Sequence, residues 1–185
     1  MSAIRAFLLV GLVTLSSAVF WPSCKDFPGK PNFNPEAYFN GTWYMIRSSP
    51  ASKHFCLSIK AEITEKNVHE LFTIKSAQQT DYAKCLINLE SFKGDGKFIT
   101  KMWRISENGT IKDPNYETAN KIIIDTDYDN YAVVYNCIIT GTPSDYEILS
   151  RNSDPDQLHP NVELAIKNIG MTLKDFGSSG CQKVN

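Results

Sequence analysis

The sequence predicts an all-β protein, an antiparallel barrel or sandwich followed by one C-terminal α-helix. Three observations lead there. Between Gly41 and Asn152 about eight short segments of β character recur at regular spacing, divided by turn signals. No helical pattern interrupts them, so neighbouring segments must pair antiparallel. After Asn152 the apolar period changes from that of a strand to that of a helix.

The elements follow in order. Arg5, the apolar run Ala6 to Val13 and the small residues Ser16-Ser17-Ala18 read as an export signal over 1–18, with cleavage after Ala18. The run is too short to span a bilayer, and no later one is longer. Residues 19–185 then form a single domain, expected to be monomeric and outside the cell. Residues 19–39, rich in Pro, Gly and aromatic residues, read as an irregular arm. Thr42 to Ser48 forms the first strand. The clearest strand runs from Phe55 to Ile63, where Phe55, Leu57, Ile59, Ala61 and Ile63 put one apolar face beside a mostly polar one. Val68 to Lys75 and Tyr82 to Phe92 come next, the latter ending at the turn sequence Lys93-Gly94-Asp95-Gly96. Lys97 to Ile105 is closed by Glu107-Asn108-Gly109. Lys121 to Thr126 and Asn130 to Thr140 flank Asp127-Tyr128-Asp129, and Tyr146 to Ser150 completes the set. Asp154-Pro155 supplies a cap and a first-turn proline for a helix. Its stripe of Leu158, Val162, Ala165, Ile166 and Ile169 is expected to pack on the wall of the sheet, ending at Gly170.

Composition removes several function classes. The chain has 19 Lys+Arg against 20 Asp+Glu, without the basic stripe that tracks a phosphate backbone, so no nucleic-acid partner is expected. Cys24, Cys56, Cys85, Cys137 and Cys181 lack the paired C-x-x-C spacing of a zinc site, which argues for two disulfides and one cysteine left over. No metal and no cofactor is expected. Asn40-Gly41-Thr42 and Asn108-Gly109-Thr110 are N-glycosylation acceptors. Ser150, His159 and the scattered acids form no nucleophile–base arrangement, so no enzyme is expected.

Three motifs then narrow the class. Gly41-Thr42-Trp43-Tyr44 resembles the Gly-x-Trp-Tyr opening of lipocalins. Thr126-Asp127-Tyr128-Asp129-Asn130-Tyr131 resembles their Thr-Asp-Tyr-x-x-Tyr turn, and Arg151 matches their third motif. The resemblance implies an eight-stranded up-and-down barrel, in which Arg151 packs on Trp43 to close the floor. Phe33 to Gly41 and Leu149 to Cys181 are similar to the salivary lipocalins of blood-feeding bugs, the group holding nitrophorins, triabin-like inhibitors and biogenic amine-binding proteins. That likeness implies the pairs Cys24–Cys137 and Cys56–Cys181, leaving Cys85 unpaired. It also implies a secreted salivary protein and a small-molecule ligand, with no membrane partner. Nitrophorins hold haem through a histidine in the third strand; here Thr73 or Ile74 stands at that place. His69 is four or five residues away, about 13–17 Å at strand rise. His54 and His159 fall elsewhere, so haem is not the expected cargo.

Strand parity gives candidate cavity residues. With Arg151 facing inward, Leu149, Glu147 and Asp145 share its face. The same parity puts Ile138, Asn136 and Val134 inside. Asn120 and Ile122 are expected inside from the sixth strand, Tyr82 from the fourth, Leu71 from the third, and Phe55 and Leu57 from the second. Acidic and amide groups between apolar walls suit a small aromatic cation, such as serotonin, a catecholamine or histamine. A polar loop at Asp145, or a bulge turning Glu147 to solvent, is the alternative reading of the acids. Alternative functions are a triabin-like inhibitor of clotting or platelets, and a carrier of an eicosanoid or other lipid whose carboxylate Arg47 or Lys84 would meet.

Overall fold

The computed structural model describes residues 24–51, 55–92, 94–139 and 144–181; the export signal lies outside them. Eight strands run β1 (Thr42–Ser49), β2 (Phe55–Ile63), β3 (Asn67–Ser76), β4 (Thr80–Asn88), β5 (Lys97–Ile105), β6 (Glu117–Thr126), β7 (Tyr131–Ile138) and β8 (Asp145–Ser150). Each pairs antiparallel with the next, β8 returns to β1, and β1 also pairs with β2, so the sheet closes. Of the two all-β architectures open to the sequence, the closed barrel is the one formed. Closure removes the free edges that an open sheet would have to protect.

Five elements depart from the sequence reading. The arm holds a short helix, α1 (Pro35–Phe39), because Asn34 caps it by accepting from the Ala37 amide and Pro35 fits the first turn. Asp154-Pro155 carries the same signal yet starts only a turn, in which the Gln157 amide donates to the Asp154 carbonyl. The helix α2 (Asn161–Lys167) begins later, after Pro160, and Gly170 follows it at φ +77°. β6 starts four residues before the expected Lys121, since Thr118, Ala119 and Asn120 pair with Lys101, Thr100 and Ile99. Pairing across the sheet overrides the weak β preference of that stretch. β4 stops at Asn88, whose side chain accepts from the Glu90 amide and starts a 3₁₀ turn. A two-residue strand, β9 (Gly177–Ser178), adds to β1 from the C-terminal segment.

Apolar side chains form two clusters on the two faces of the sheet. The inner one includes Trp43, Leu57, Ile59, Val68, Phe72, Ile87, Phe98, Ile123, Val134 and Leu149. The outer one joins Ile122, Tyr131, Val133, Tyr135 and Ile148 to Val162, Ala165 and Ile166 of α2 and to Phe176. β7 is therefore buried on both faces and does not alternate. Disulfides join Cys24 to Cys137 and Cys56 to Cys181, while Cys85 is free and buried.

One end of the barrel is sealed. Trp43 donates through Nε1 to the Tyr38 carbonyl at 2.8 Å, and the Arg151 guanidinium lies 3.5 Å from the centre of the Trp43 ring. Arg151 donates to the Tyr128 carbonyl through Nε and Nη2 at 3.1 and 3.0 Å, and to the Tyr38 carbonyl at 3.2 Å. Gly41, at φ +76°, passes beneath it; a Cβ there would meet Arg151 Nη1 at 3.5 Å. Thr126 and Asp127 set the neighbouring turn. The Thr126 hydroxyl donates to the Tyr131 carbonyl and accepts from the Tyr128 amide, while Asp127 accepts from the amides of Asn130 and Tyr131. Although burial opposes it, these bonds hold the Asp127 carboxyl below its ordinary range. Phe33, Tyr38, Phe39, Phe92 and Phe98 pack ring to ring behind Trp43.

Candidate functional site

Above that plug the interior changes character. A chamber of about 110 Å³ is lined by Phe72, Cys85, Thr100, Met102, Ala119, Lys121, Asn136, Ile138, Asp145 and Glu147, with Glu117 toward the rim. A second recess of about 480 Å³ shares Met102 and Glu117 with it. This recess lies at the rim, bounded by Asp81, Tyr82 and Arg104 of the strands and by Lys112, Asn115 and Tyr116 of the β5–β6 connection. The chamber is smaller than a typical ligand pocket, which spans about 300–1,000 Å³. The rim recess falls within that range.

Cross-strand register explains which side chains meet. Asn136 of β7 stands between Lys121 of β6 and Asp145 of β8. Val134 likewise pairs with Glu147, which pairs on its other side with Ser48 of β1. Paired residues share a face, so these side chains converge on the interior. Tyr146 and Ile148 lie in the outer cluster, so the upper part of β8 keeps the parity that Arg151 sets. Glu147 is only 6% exposed.

The chamber is rich in acceptors. Asp145 Oδ1, Glu147 Oε2, Asn136 Oδ1 and Glu70 Oε2 are buried without a hydrogen-bond partner among the described residues. Such groups are costly to leave unpaired. Burial, with Glu147 alongside, pushes the Asp145 carboxyl up to about 7, although the Asn136 amide and Lys121 act the other way. Lys121, 5% exposed, sits 3.8 Å from Glu70, 3% exposed, and 5.3 Å from the centre of the Phe72 ring. Burial disfavours its ammonium, but Glu70 and Glu147 outweigh that and hold its pKa above the ordinary value. Burial raises Glu70 as well, against the pull of Lys121.

The sequence-predicted residues divide accordingly. Glu147, Asp145, Asn136 and Ile138 line the chamber. Leu57 lies in the inner cluster, with Phe55 packed against it. Four others are corrected. Ile122 belongs to the outer cluster, and Asn120 turns its amide to Cys24 Sγ at 3.8 Å, because Ala119, Lys121 and Ile123 take the inward places on β6. Ile122, Ile123 and Ile124 run together in a strand covered on both sides, so hydrophobicity could not decide parity there. Leu71 is 41% exposed on the outside, since Glu70 and Phe72 point inward. Tyr82 lines the rim recess, while the smaller Ala83 and Cys85 face the core.

Lys121, Glu70 and Thr100 were missed. A charged residue inside a strand reads as solvent-facing, and only the registry of Lys121 with Asn136 reveals otherwise. Arg47 donates to the Pro155 carbonyl, and Lys84 lines a recess on the outer face with Lys60 and Leu71, so neither faces the chamber.

A closed barrel with a plugged floor, the Trp43–Arg151 stack and an interior chamber defines a lipocalin. More narrowly, the chain belongs to the nitrophorin family, whose sequence profile matches residues 24–185. It is 25% identical over 162 residues to triabin of Meccus pallidipennis, covering 84% of this chain and 97% of that one. It is 28% identical over 178 residues to retinol-binding protein 4 of Gallus gallus, covering 88% and 86%. Its fold matches the tryptamine complex of the amine binding protein of Rhodnius prolixus at a TM-score of 0.74 and 22% identity, covering 84% and 85%.

A haem ligated by imidazole does not fit this interior. His69 pairs with Glu62 and Leu86, on the outward parity of β3, and His159 stacks on Tyr131 outside the floor. His54 lies outside the described residues. Where the family's third-strand ligand falls, Thr73 pairs with Ser58 and Tyr82, also on the outward parity, and Ile74 offers only an aliphatic chain.

Proposed function

We propose that this chain is a secreted salivary scavenger of biogenic amines, binding them one to one and without turnover. The observation that carries the reading is the row of buried, unpaired acceptors formed by Asp145, Glu147 and Asn136 on one side of the chamber. An alkylammonium brings three donors and one positive charge to groups that otherwise bear the cost of burial. Phe72, Met102 and Ile138 supply apolar contact for a ring, and the rim recess gives the ligand room to extend. The fold shared with an amine-binding protein is consistent with this reading. The outer cluster around α2 serves in it as a brace for β7 and leaves the interior free.

The test is calorimetric titration with serotonin, noradrenaline and histamine, repeated on Glu147→Gln and Asp145→Asn. Submicromolar one-to-one binding, lost in either variant, is the expected result. Absence of heat with all three amines would overturn the proposal, and titration with an eicosanoid and with clotting proteases would then decide between lipid carriage and protein inhibition.

A further inference from the structure

The Lys121–Glu70 pair is not needed to hold an ammonium. Lys121 is itself a cation, and it faces the same carboxylates that the amine reading assigns to the ligand. Nor does the pair behave as a closed ion pair. At 3.8 Å it is well beyond a charge-assisted hydrogen bond, about 2.7–2.9 Å, and Glu70 Oε2 has no hydrogen-bond partner among the described residues. Lys121 lines the chamber and Glu70 stands behind it.

We propose that Lys121, positioned by Glu70, reads a ring hydroxyl of the amine, so that the preferred ligand is a hydroxylated arylalkylamine. This rests on the amine reading above and names the second end of the same ligand. Lys121 and Asp145 lie two strands apart in one register row, with Asn136 between them. At the usual strand spacing that is about 10 Å along the sheet, a separation that suits a ring with a short alkyl arm. The ammonium would lie against Asp145 and Glu147, the ring against Phe72 and Met102, and the hydroxyl at Lys121.

A hydroxyl matches this end better than an anion does. Its oxygen accepts from the Lys121 ammonium, and its proton can be given to the Thr100 hydroxyl on the neighbouring strand, while Glu70 behind Lys121 keeps the ammonium in place. A carboxylate would gain Lys121 but meet Glu70, Glu147 and Asp145 together. A bare ring would leave Lys121 and Glu70 desolvated with nothing to bond. Sites built to hydrogen-bond a hydroxyl reject the analogue that lacks it for that reason.

The experiment compares matched pairs, serotonin against tryptamine and dopamine against phenethylamine, by calorimetry on the full secreted chain. The wild type is expected to favour the hydroxylated member of each pair by on the order of ten- to a hundredfold, the worth of a charge-assisted hydrogen bond. Lys121→Met alone would strand Glu70 and is expected to fold poorly, so the variant is Lys121→Met with Glu70→Leu, which removes both charges. Circular dichroism establishes that it is folded. The preference should then fall to near one. Equal affinities in the wild type would overturn the hydroxyl reading while leaving the amine reading intact. A preference that survives in the double variant would overturn it as well. So would a folded double variant that binds neither member, because the pair would then merely shape the chamber. Failure of every amine to bind the wild type would overturn both readings.

Discussion

The floor of the barrel and the chamber above it use the same kinds of residue to opposite ends. At the floor Arg151 stacks on Trp43 and donates to the Tyr128 and Tyr38 carbonyls, and five aromatic rings seal the space behind. In the chamber Lys121 stands off from Glu70, while four acceptors on Glu70, Asn136, Asp145 and Glu147 are left unpaired. Hydrogen bonds made to a buried charge contribute to stability, and Arg151 makes them through Nε and Nη2 while Nη1 alone has no partner among the described residues; buried acceptors left unpaired cost stability. The difference puts made contacts at the floor and unmade ones in the chamber, where the proposed ligand would complete them.

Substitutions can break that division at either end. The largest effect is expected from Trp43→Ala, which removes the ring beneath Arg151 and leaves a cavity among buried aromatics. A loss of about 3–5 kcal/mol in chemical denaturation is expected. Asp145→Asn should act the other way in the ligand-free protein. Its carboxyl is raised to about 7 by burial and Glu147, so the folded chain keeps a proton there that the unfolded chain, near pKa 3.8, has lost. Stability from this group is therefore full below about pH 4 and declines as pH rises through 7. At about pH 8 the variant should be more stable than the wild type by on the order of 2–4 kcal/mol, and at pH 4 nearly equal to it, as thermal melts would show.

The same group predicts how amine binding responds to acid. An ammonium requires the Asp145 carboxylate, so binding releases the proton that the free protein holds below pH 7. Affinity should weaken by about tenfold for each pH unit below 7, and calorimetry in buffers of different ionisation enthalpy should detect the released proton. Smallest of all, Leu71→Ser on the exposed outer face should change stability by no more than about 0.5 kcal/mol and leave amine affinity unaltered. A clear loss of binding there would mean that the outer face takes part in recognition.

The contrast between the two ends also explains what could be read from the sequence. The floor was legible because its parts are local and chemically distinctive. Trp43 follows Gly41 on one strand start, Asp127 organises its own turn, and Arg151 directly follows β8. Strand parity on β7 and β8 was legible because Arg151 anchors it, which correctly placed Glu147, Asp145, Asn136 and Ile138. Parity on β6 and β3 had no such anchor. The Ile122-Ile123-Ile124 run looks apolar on both faces, and in Glu70-Leu71-Phe72 the acid points in while the leucine points out. A polar interior reverses the rule that buried means apolar, so on strands without an anchor the buried Lys121, Glu70 and Thr100 could not be found from pattern alone. The helix start failed for a different reason. Asn34-Pro35 and Asp154-Pro155 carry the same capping signal, and only the chain that follows decides whether a helix grows from it.

The two disulfides interleave along the chain: Cys24 reaches across Cys56 to Cys137, and Cys56 reaches across Cys137 to Cys181. Every peptide bond between Cys24 and Cys181 is thereby spanned by at least one bridge, and those between Cys56 and Cys137 by two. A single proteolytic nick anywhere in that span leaves one covalent molecule, its strands still held in the closed sheet. The chain can be cut once without coming apart.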